Sequence, residues 1–176
     1  MDSAEICFRK AYELRMRGTR IEVVPDILMN LADANNRLGK LDIGAAWYRR
    51  ALLMCDSLHM ASTKKPPIYY GLAQVYVTMR DFEQCDYYYN LAGESYDNML
   101  PYEKYIYLNN RGTSYYYRED YQTAIKYFQK VIDLVEGYDD MSFELNLGRL
   151  NLGDCYLQLN MVDLAVKYIN ECLTFF

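Results

Sequence analysis

The sequence is poor in the residues on which most catalytic and metal sites depend. Its 176 residues include a single histidine, His59, and its five cysteines form no CxxC pair. Zinc sites built from paired cysteines or several histidines are therefore excluded, and most acid–base chemistry lacks its usual base. A phosphate-binding loop is also missing, because Gly39-Lys40 lacks the preceding glycine of that motif. These gaps predict a protein without catalysis, cofactor or metal.

Long apolar runs and positive charge are scarce as well. No run approaches the ~20 residues that a membrane-spanning helix needs, and the N-terminus lacks the layout of a signal peptide. The 19 lysines and arginines face 24 acidic residues, and the net charge of −5 argues against direct binding to nucleic acid. We expect a cytoplasmic protein with no membrane partner. A module cut from an exported protein would have the same features.

Tyrosine, by contrast, is abundant. The chain has 20 tyrosines and 6 phenylalanines, and 52% of its residues are hydrophobic. A tyrosine ring packs against apolar groups while its hydroxyl reaches water, so this composition indicates many half-buried positions.

Four segments of the chain align with one another at a period near 40. The small residue of each segment recurs at spacings of 41, 39 and 41, at Ala32, Ala73, Gly112 and Gly153. Three residues later stand Asn35, Tyr76, Tyr115 and Tyr156. A second pattern, small-x3-aromatic-x2-small, follows each time, and it places Cys85 and Cys172 at small, packed positions. Internal repetition at this period is typical of stacked helix pairs.

The periodicity predicts an all-α protein, because no segment alternates polar and apolar residues long enough to form a sheet. Prolines before the apolar stretches and acidic residues in the turns mark the helix starts. The nine expected helices span about 3–16, 23–38, 41–58, 67–79, 82–97, 102–117, 121–136, 143–159 and 161–175. They group into an unpaired second helix at 1–20 and repeats at 21–60, 61–100, 101–140 and 141–176, a single array over residues 1–176.

The pattern resembles the tetratricopeptide repeat, which has a Leu–small pair, an aromatic residue three positions on, and then Ala-x3-Phe-x2-Ala. The large aromatic residue early in the first helix is replaced by Leu28, Tyr69, Leu108 and Arg149. The period near 40 is similar to that of the longer-helix class found in kinesin light chains and many bacterial regulators. The resemblance implies a right-handed superhelical solenoid of antiparallel helix pairs that binds proteins without catalysis.

In such an array the first helix of each pair lines a concave groove. The positions that do not face the neighbouring helix supply a candidate peptide-binding surface. Its residues are Asn30, Asp33, Arg37, Tyr70, Gln74, Asn110, Thr113, Tyr116, Tyr117, Asn151 and Asp154.

Asparagine recurs in register in this surface at Asn30, Asn110 and Asn151, and is missing only at Gly71. An asparagine amide donates and accepts hydrogen bonds, so it can hold a peptide backbone whatever its side chains. The resemblance implies this role. The alternative is that each asparagine bonds a neighbouring helix and stiffens the stack. Because Arg37 is the clearest cation there, the family's clamp for a C-terminal carboxylate is not reproduced, and a neutral or basic peptide is expected.

Two functions remain open from the sequence. The first is a protein-interaction scaffold that binds a peptide or protein segment. The second is the sensing or dimerisation module of a bacterial signalling or transcription-regulatory protein. Neither terminal helix has a polar outer face, and Phe175-Phe176 would be a poor surface for solvent. This pattern favours either excision from a longer protein or a homodimer formed through the terminal helices.

Overall fold

The computed structural model describes residues 3–18, 21–60 and 64–173. The described residues form nine α-helices and no β-strand. The helices are α1 (Ser3–Met16), α2 (Val24–Arg37), α3 (Leu41–Ser57), α4 (Pro66–Thr78), α5 (Phe82–Gly93), α6 (Pro101–Tyr117), α7 (Tyr121–Val135), α8 (Ser142–Gln158) and α9 (Val162–Leu173). The predicted all-α class is confirmed. The helix boundaries lie within two residues of the predicted ones except at the end of α5, and the predicted end of the last helix at residue 175 lies outside the described residues.

Local chemistry explains most of these boundaries. Pro25, Pro66 and Pro101 each occupy the first turn of a helix, where the missing N–H costs nothing. Asp120 caps α7, because its carboxylate accepts a hydrogen bond from the Thr123 backbone N–H at 3.1 Å. The acidic residues in the last turn, Asp139-Asp140, were expected to cap α8, but they form a 3-10 turn of their own before that helix begins.

Helix α5 ends at Gly93, four residues earlier than the predicted end at residue 97. Glycine is a poor helix former because its backbone loses more freedom on folding than that of any other residue. The chain then makes a separate 3-10 turn, Tyr96–Asn98, before α6 begins.

The described residues form two compact units, one ending at Ser95 and one beginning at Tyr96. In the first unit, α2 pairs with α3 and α4 with α5, while α1 packs on α2. Its core includes Leu28, Leu31, Tyr48 and Leu72, all buried. In the second unit, α6 pairs with α7 and α8 with α9, and α7 packs on α8. Each unit therefore repeats one structural element, a pair of antiparallel helices.

The small residues found by the repeat analysis lie where two helices approach closely. Ala32, Ala73, Gly112 and Gly153 are all buried, as are Cys85 and Cys172. The two cysteines are therefore packing residues, as predicted. Burial raises the pKa of the Cys172 thiol, which keeps it protonated and unreactive near neutral pH. Phe175-Phe176, on which the expected homodimer depends, lie outside the described residues.

The turn inside each helix pair has the same backbone conformation. Its left-handed residue is Gly39, Arg80, Glu119 or Asn160, with φ between 58° and 72°. The next backbone N–H then donates to a carbonyl five residues earlier, as from Asp120 to Tyr115 at 3.0 Å. This closing bond satisfies a carbonyl at the helix end, and the four turns orient the helices of each pair in the same way.

Candidate functional site

The candidate binding residues lie on the first helix of each pair: α2 and α4 in the first unit, α6 and α8 in the second. Most of them are open to solvent. Asn30, Asp33, Arg37, Gln74, Tyr117 and Asp154 are exposed, while Asn110, Thr113, Tyr116 and Asn151 are half-buried. Tyr70 is buried, with 8% of its surface exposed. Each unit therefore presents its own polar surface, on α2 and α4 in one and on α6 and α8 in the other.

In the first unit, one groove carboxylate is held by the partner helix. The hydroxyl of Tyr48 in α3 donates a hydrogen bond to Asp33 in α2. Burial, together with this bond, raises the pKa of the Tyr48 hydroxyl far above its usual range. Asp33 is consequently fixed in one orientation while it remains exposed to a ligand.

Tyr48 also explains why the asparagine register breaks at Gly71. A Cβ atom on Gly71 would lie 2.1 Å from Cζ of Tyr48, which is closer than any carbon contact allows. The ring of α3 thus occupies the space that an asparagine side chain would need on α4. The sequence shows the missing asparagine but not the ring that excludes it.

Tyr70 contributes little to the surface of α4. Seven of the thirteen residues of that helix are buried, including Tyr70 and its neighbours Ile68 and Leu72. Only Gln74 among the predicted residues of α4 is exposed. The open polar surface of the first unit therefore lies mainly on α2.

In the second unit, the polar residues of α6 and α8 are connected to each other. Asn151 Nδ2 donates to Asn109 Oδ1 at 2.9 Å, across the two helices. Thr113 Oγ1 donates to the Asn109 carbonyl at 2.9 Å. Tyr116 donates to Asp154, and burial together with this bond raises the pKa of Tyr116 to about 12. These bonds hold the surface in a defined arrangement before any ligand arrives.

The three register asparagines differ in what their amides contact. Asn151 bonds a neighbouring helix, which is the stiffening role that the sequence left open. The side-chain amides of Asn30 and Asn110 make no hydrogen bond within the described part of the chain. Their amides can therefore donate to and accept from a ligand.

A second aromatic arrangement recurs in the helix pairs. It joins the aromatic position of the first helix, which the repeat pattern shows, to a position of the second helix that the pattern does not include. Tyr76, Tyr115 and Tyr156 each stack on a tyrosine twelve residues later, with ring centroids 5.7, 5.5 and 5.6 Å apart. In the first pair these two positions hold Asn35 and Trp47. The one tryptophan of the chain thus stands where the other pairs have a tyrosine, and that substitution is the signal that could have identified it.

Nothing in the described residues indicates a catalytic or metal centre. Within ranges 3–18, 21–60 and 64–173, no group of three His, Cys, Asp or Glu residues is arranged to hold a metal ion. His59 is exposed in the turn after α3. The described helices also include none that is both long and apolar enough to cross a membrane.

Comparison with known proteins places this geometry in a family of repeats. Residues 105–138 and residues 148–175 each match a model of the tetratricopeptide repeat. These two segments correspond to the pairs α6–α7 and α8–α9. No curated protein matches the sequence.

Several solved structures have the same fold. BtubC from P. vanneervenii has a TM-score of 0.82 and 23% sequence identity, over 97% of this chain and 71% of its own. TPR-like repeats of a kinesin-light-chain-like protein from Podospora anserina have a TM-score of 0.75 and 10% identity, over 97% of this chain and 84% of their own. MamA from Desulfovibrio magneticus has a TM-score of 0.59 and 14% identity, over 99% of this chain and 96% of its own.

At these identities the solved structures show the fold alone, an all-α repeat of helix pairs. The family follows from the repeat models, which match both helix pairs of the second unit. Tetratricopeptide repeats are generally protein–protein interaction modules, and the fold is generally a non-catalytic scaffold. Residues 105–138 and 148–175, which form the two helix pairs of the second unit, are tetratricopeptide repeats.

Proposed function

We propose that the protein is a non-catalytic scaffold that binds a peptide segment of a protein partner on the first helices of its pairs. The observation that carries the proposal is Asn110 on α6, whose amide makes no hydrogen bond within the described residues. Thr113 lies one turn further along the same helix face, and Asn151 lies on the neighbouring helix. A peptide backbone offers the donors and acceptors that these side chains require.

The bonds around Asn110 reduce the entropic cost of binding. Asn109 receives hydrogen bonds from Thr113 and Asn151, and Asp154 receives one from Tyr116. Side chains that are already ordered lose little freedom when a ligand binds, so more of the interaction energy appears as affinity. The surface of α6 and α8 is thus prepared for a ligand.

The charges on these surfaces favour a neutral or basic peptide. Asp154 is exposed in the second unit and Asp33 in the first, and both retain a carboxylate oxygen for a ligand. Arg37 on α2 is the one cation of the predicted set. Exposed Tyr117 adds a ring on which an apolar or cationic side chain can pack.

The experiment begins with peptides selected by display on the full chain, whose affinities are then measured by calorimetry. Replacing Asn110 by Ala should weaken binding about tenfold, which corresponds to the loss of one or two hydrogen bonds of about 1 kcal/mol each. The matched control is Asn170→Ala, the same substitution at an exposed position of the second helix α9. It should leave the affinity within a factor of about two.

Two results would count against the proposal. Equal affinities for the wild-type chain and Asn110→Ala would show that the amide does not hold the peptide. A larger effect from Asn170→Ala would place binding on the second helices instead.

A further inference from the structure

A hollow between α1 and α3 has the properties of a second binding site. It has a volume of about 370 Å³, within the range of ligand pockets in proteins. Its walls come from α1 and α3, and they consist of Arg9, Asp42, Ile43, Ala46, Trp47 and Arg50. Because all of its lining belongs to these two helices, it is distinct from the surface formed by α2 and α4.

The floor of the hollow is apolar. Ile43 has 46% of its surface exposed, Ala46 is exposed, and Trp47 is half-buried. On α3, Ile43 and Trp47 are four residues apart, so their side chains share one helix face. Exposed apolar side chains gathered in a concave site gain free energy when a ligand covers them.

Trp47 lacks the stacked ring that covers its counterparts. In the other pairs the equivalent tyrosines stack on a tyrosine of the first helix, as Tyr127 does on Tyr115. In the first pair that partner is replaced by Asn35, whose amide bonds the Leu31 carbonyl of its own helix at 2.8 Å. The indole instead meets Tyr12 of α1 edge-on, with ring centroids 6.1 Å apart.

Two guanidinium groups stand over the indole. The guanidinium carbon of Arg9 lies 5.5 Å from the Trp47 ring centroid, and that of Arg50 lies 5.9 Å from it. Arg50 is held in place, because its Nη2 donates to the Tyr12 hydroxyl at 2.6 Å. Guanidinium groups recognise carboxylates through paired N–H donors, so this rim is suited to an acidic group.

One donor of Trp47 lacks a partner but is closed to solvent. The Nε1–H of Trp47 is buried and has no acceptor in the described part of the chain. A buried indole N–H usually donates to an acceptor, because a buried donor without a hydrogen bond costs free energy. The carboxylate of Asp42, which also lines the hollow, repels a highly charged anion. A ligand with only a few carboxylates is therefore favoured.

We propose that the α1–α3 hollow binds an acidic peptide segment, in which carboxylate side chains contact Arg9 and Arg50 while an apolar side chain between them covers Trp47. This site would attract an acidic segment, whereas the first-helix surfaces are expected to bind a neutral or basic one. One chain would then hold two different segments on two separate sides of a helix pair.

The sequence provides a direct reporter for this site, because Trp47 is the only tryptophan. The probe is the terminally blocked peptide Gly-Glu-Phe-Glu-Gly, titrated into the full chain while Trp47 emission is recorded. We expect a saturable change in emission. Affinity should fall about tenfold for Gly-Gln-Phe-Gln-Gly, which lacks the carboxylates, and for Gly-Glu-Ala-Glu-Gly, which lacks the ring.

Variants of the chain identify the groups that bind. Arg50→Gln should weaken binding of the acidic peptide about tenfold, and Arg9→Gln gives an independent test if the loss of the Tyr12 contact affects folding. The matched control is Arg80→Gln, since Arg80 is also exposed and lies 5.7 Å over a ring, that of Phe82. Arg80→Gln and Asn110→Ala should both leave the Trp47 signal unchanged, which separates this site from the first-helix surface.

Three outcomes would overturn the proposal. The first is the absence of a saturable change with the acidic peptide. The second is equal binding of the acidic and the glutamine peptide, which would show that the arginines play no part. The third is a higher affinity for a thymidine oligonucleotide than for the acidic peptide, both measured by Trp47 emission. That result would identify phosphate as the preferred ligand.

Discussion

The pairs α2–α3 and α6–α7 follow the same repeat but differ in the polar groups at the contact between their two helices. Where α3 has Tyr48 and α2 has Asp33, joined by a hydrogen bond, α7 has Phe128 and α6 has Thr113. The hydroxyl and the carboxylate occur together in one pair and are absent together in the other. The repeat thus specifies the shape of the contact between the two helices, while the polarity of this contact depends on both of the facing residues.

The same two pairs also differ in their aromatic contacts and in their turns. The stacked rings of Tyr115 and Tyr127 correspond to Asn35 and Trp47, and the turn residue Glu119 corresponds to Gly39. The second helix of the first pair thereby gains an open indole beside α1. Substitutions that exchange residues between the two pairs test which of these differences affect stability.

The largest effect is expected from removing the aromatic ring of the α6–α7 pair. Phe128 is 2% exposed, and its ring packs against the backbone of α6 at Gly112. Phe128→Ala should lower the free energy of unfolding by about 3–5 kcal/mol, because it removes buried contacts and leaves a cavity. Urea denaturation followed by circular dichroism measures the change.

Phe143→Ala is the control for that substitution, since Phe143 has 67% of its surface exposed. It should change the stability by no more than about 0.5 kcal/mol. Similar losses from both variants would show that the second-helix ring has no special role in the pair.

A smaller effect is expected from giving the α6–α7 pair the hydroxyl of the α2–α3 pair. Phe128→Tyr buries a hydroxyl opposite Thr113, which already donates to the Asn109 carbonyl. Thr113 Oγ1 keeps lone pairs that can accept, but the carboxylate that Tyr48 finds in Asp33 is missing, so we expect a loss of about 1 kcal/mol. Adding Thr113→Asp supplies the missing acceptor and should restore part of this stability.

The double variant is compared with both single variants in a thermodynamic cycle. A favourable coupling of about 1 kcal/mol would confirm that Tyr48 and Asp33 act as a pair. Additive effects of the two substitutions would mean that the hydroxyl and the carboxylate stabilise the helices independently.

The smallest effect is expected in the turns. Gly39 adopts φ 72° and Glu119 adopts φ 65°, a region that favours glycine over residues with a Cβ atom. Gly39→Ala should cost about 1 kcal/mol, whereas Glu119→Gly should be neutral or stabilise by up to about 1 kcal/mol. Thermal unfolding compares the two, and a stabilising Gly39→Ala would show that the turns do not share this strain.

The repeat spacing predicted the fold because small residues, prolines and turn residues recur at fixed intervals. It predicted the helix boundaries within a few residues except for α5, where Gly93 ends the helix early. The sequence pattern alone could not show that Tyr70 is buried, because that depends on how far α4 is covered by its neighbours.

The candidate site was predictable only in part, because it too depends on contacts between helices. Helical spacing predicts that Asn30 and Asn110 face the groove. In the structure Asn30 is exposed, Asn110 is half-buried, and their side-chain amides are open within the described residues. The bond from Asn151 to Asn109 depends on side-chain directions across two helices, which no spacing specifies. Trp47 was missed because the repeat is defined by its small and aromatic core positions, and residue 47 is not one of them.

Nuclear magnetic resonance of the asparagine side-chain amides can show whether peptides bind to the first helices. The full chain is titrated with a display-selected peptide, and the NH₂ signals of Asn110 and Asn170 are followed. The scaffold function predicts a large, saturable shift for Asn110 on α6 and no shift for Asn170 on α9. A saturable shift of Asn170 with Asn110 unchanged would contradict it.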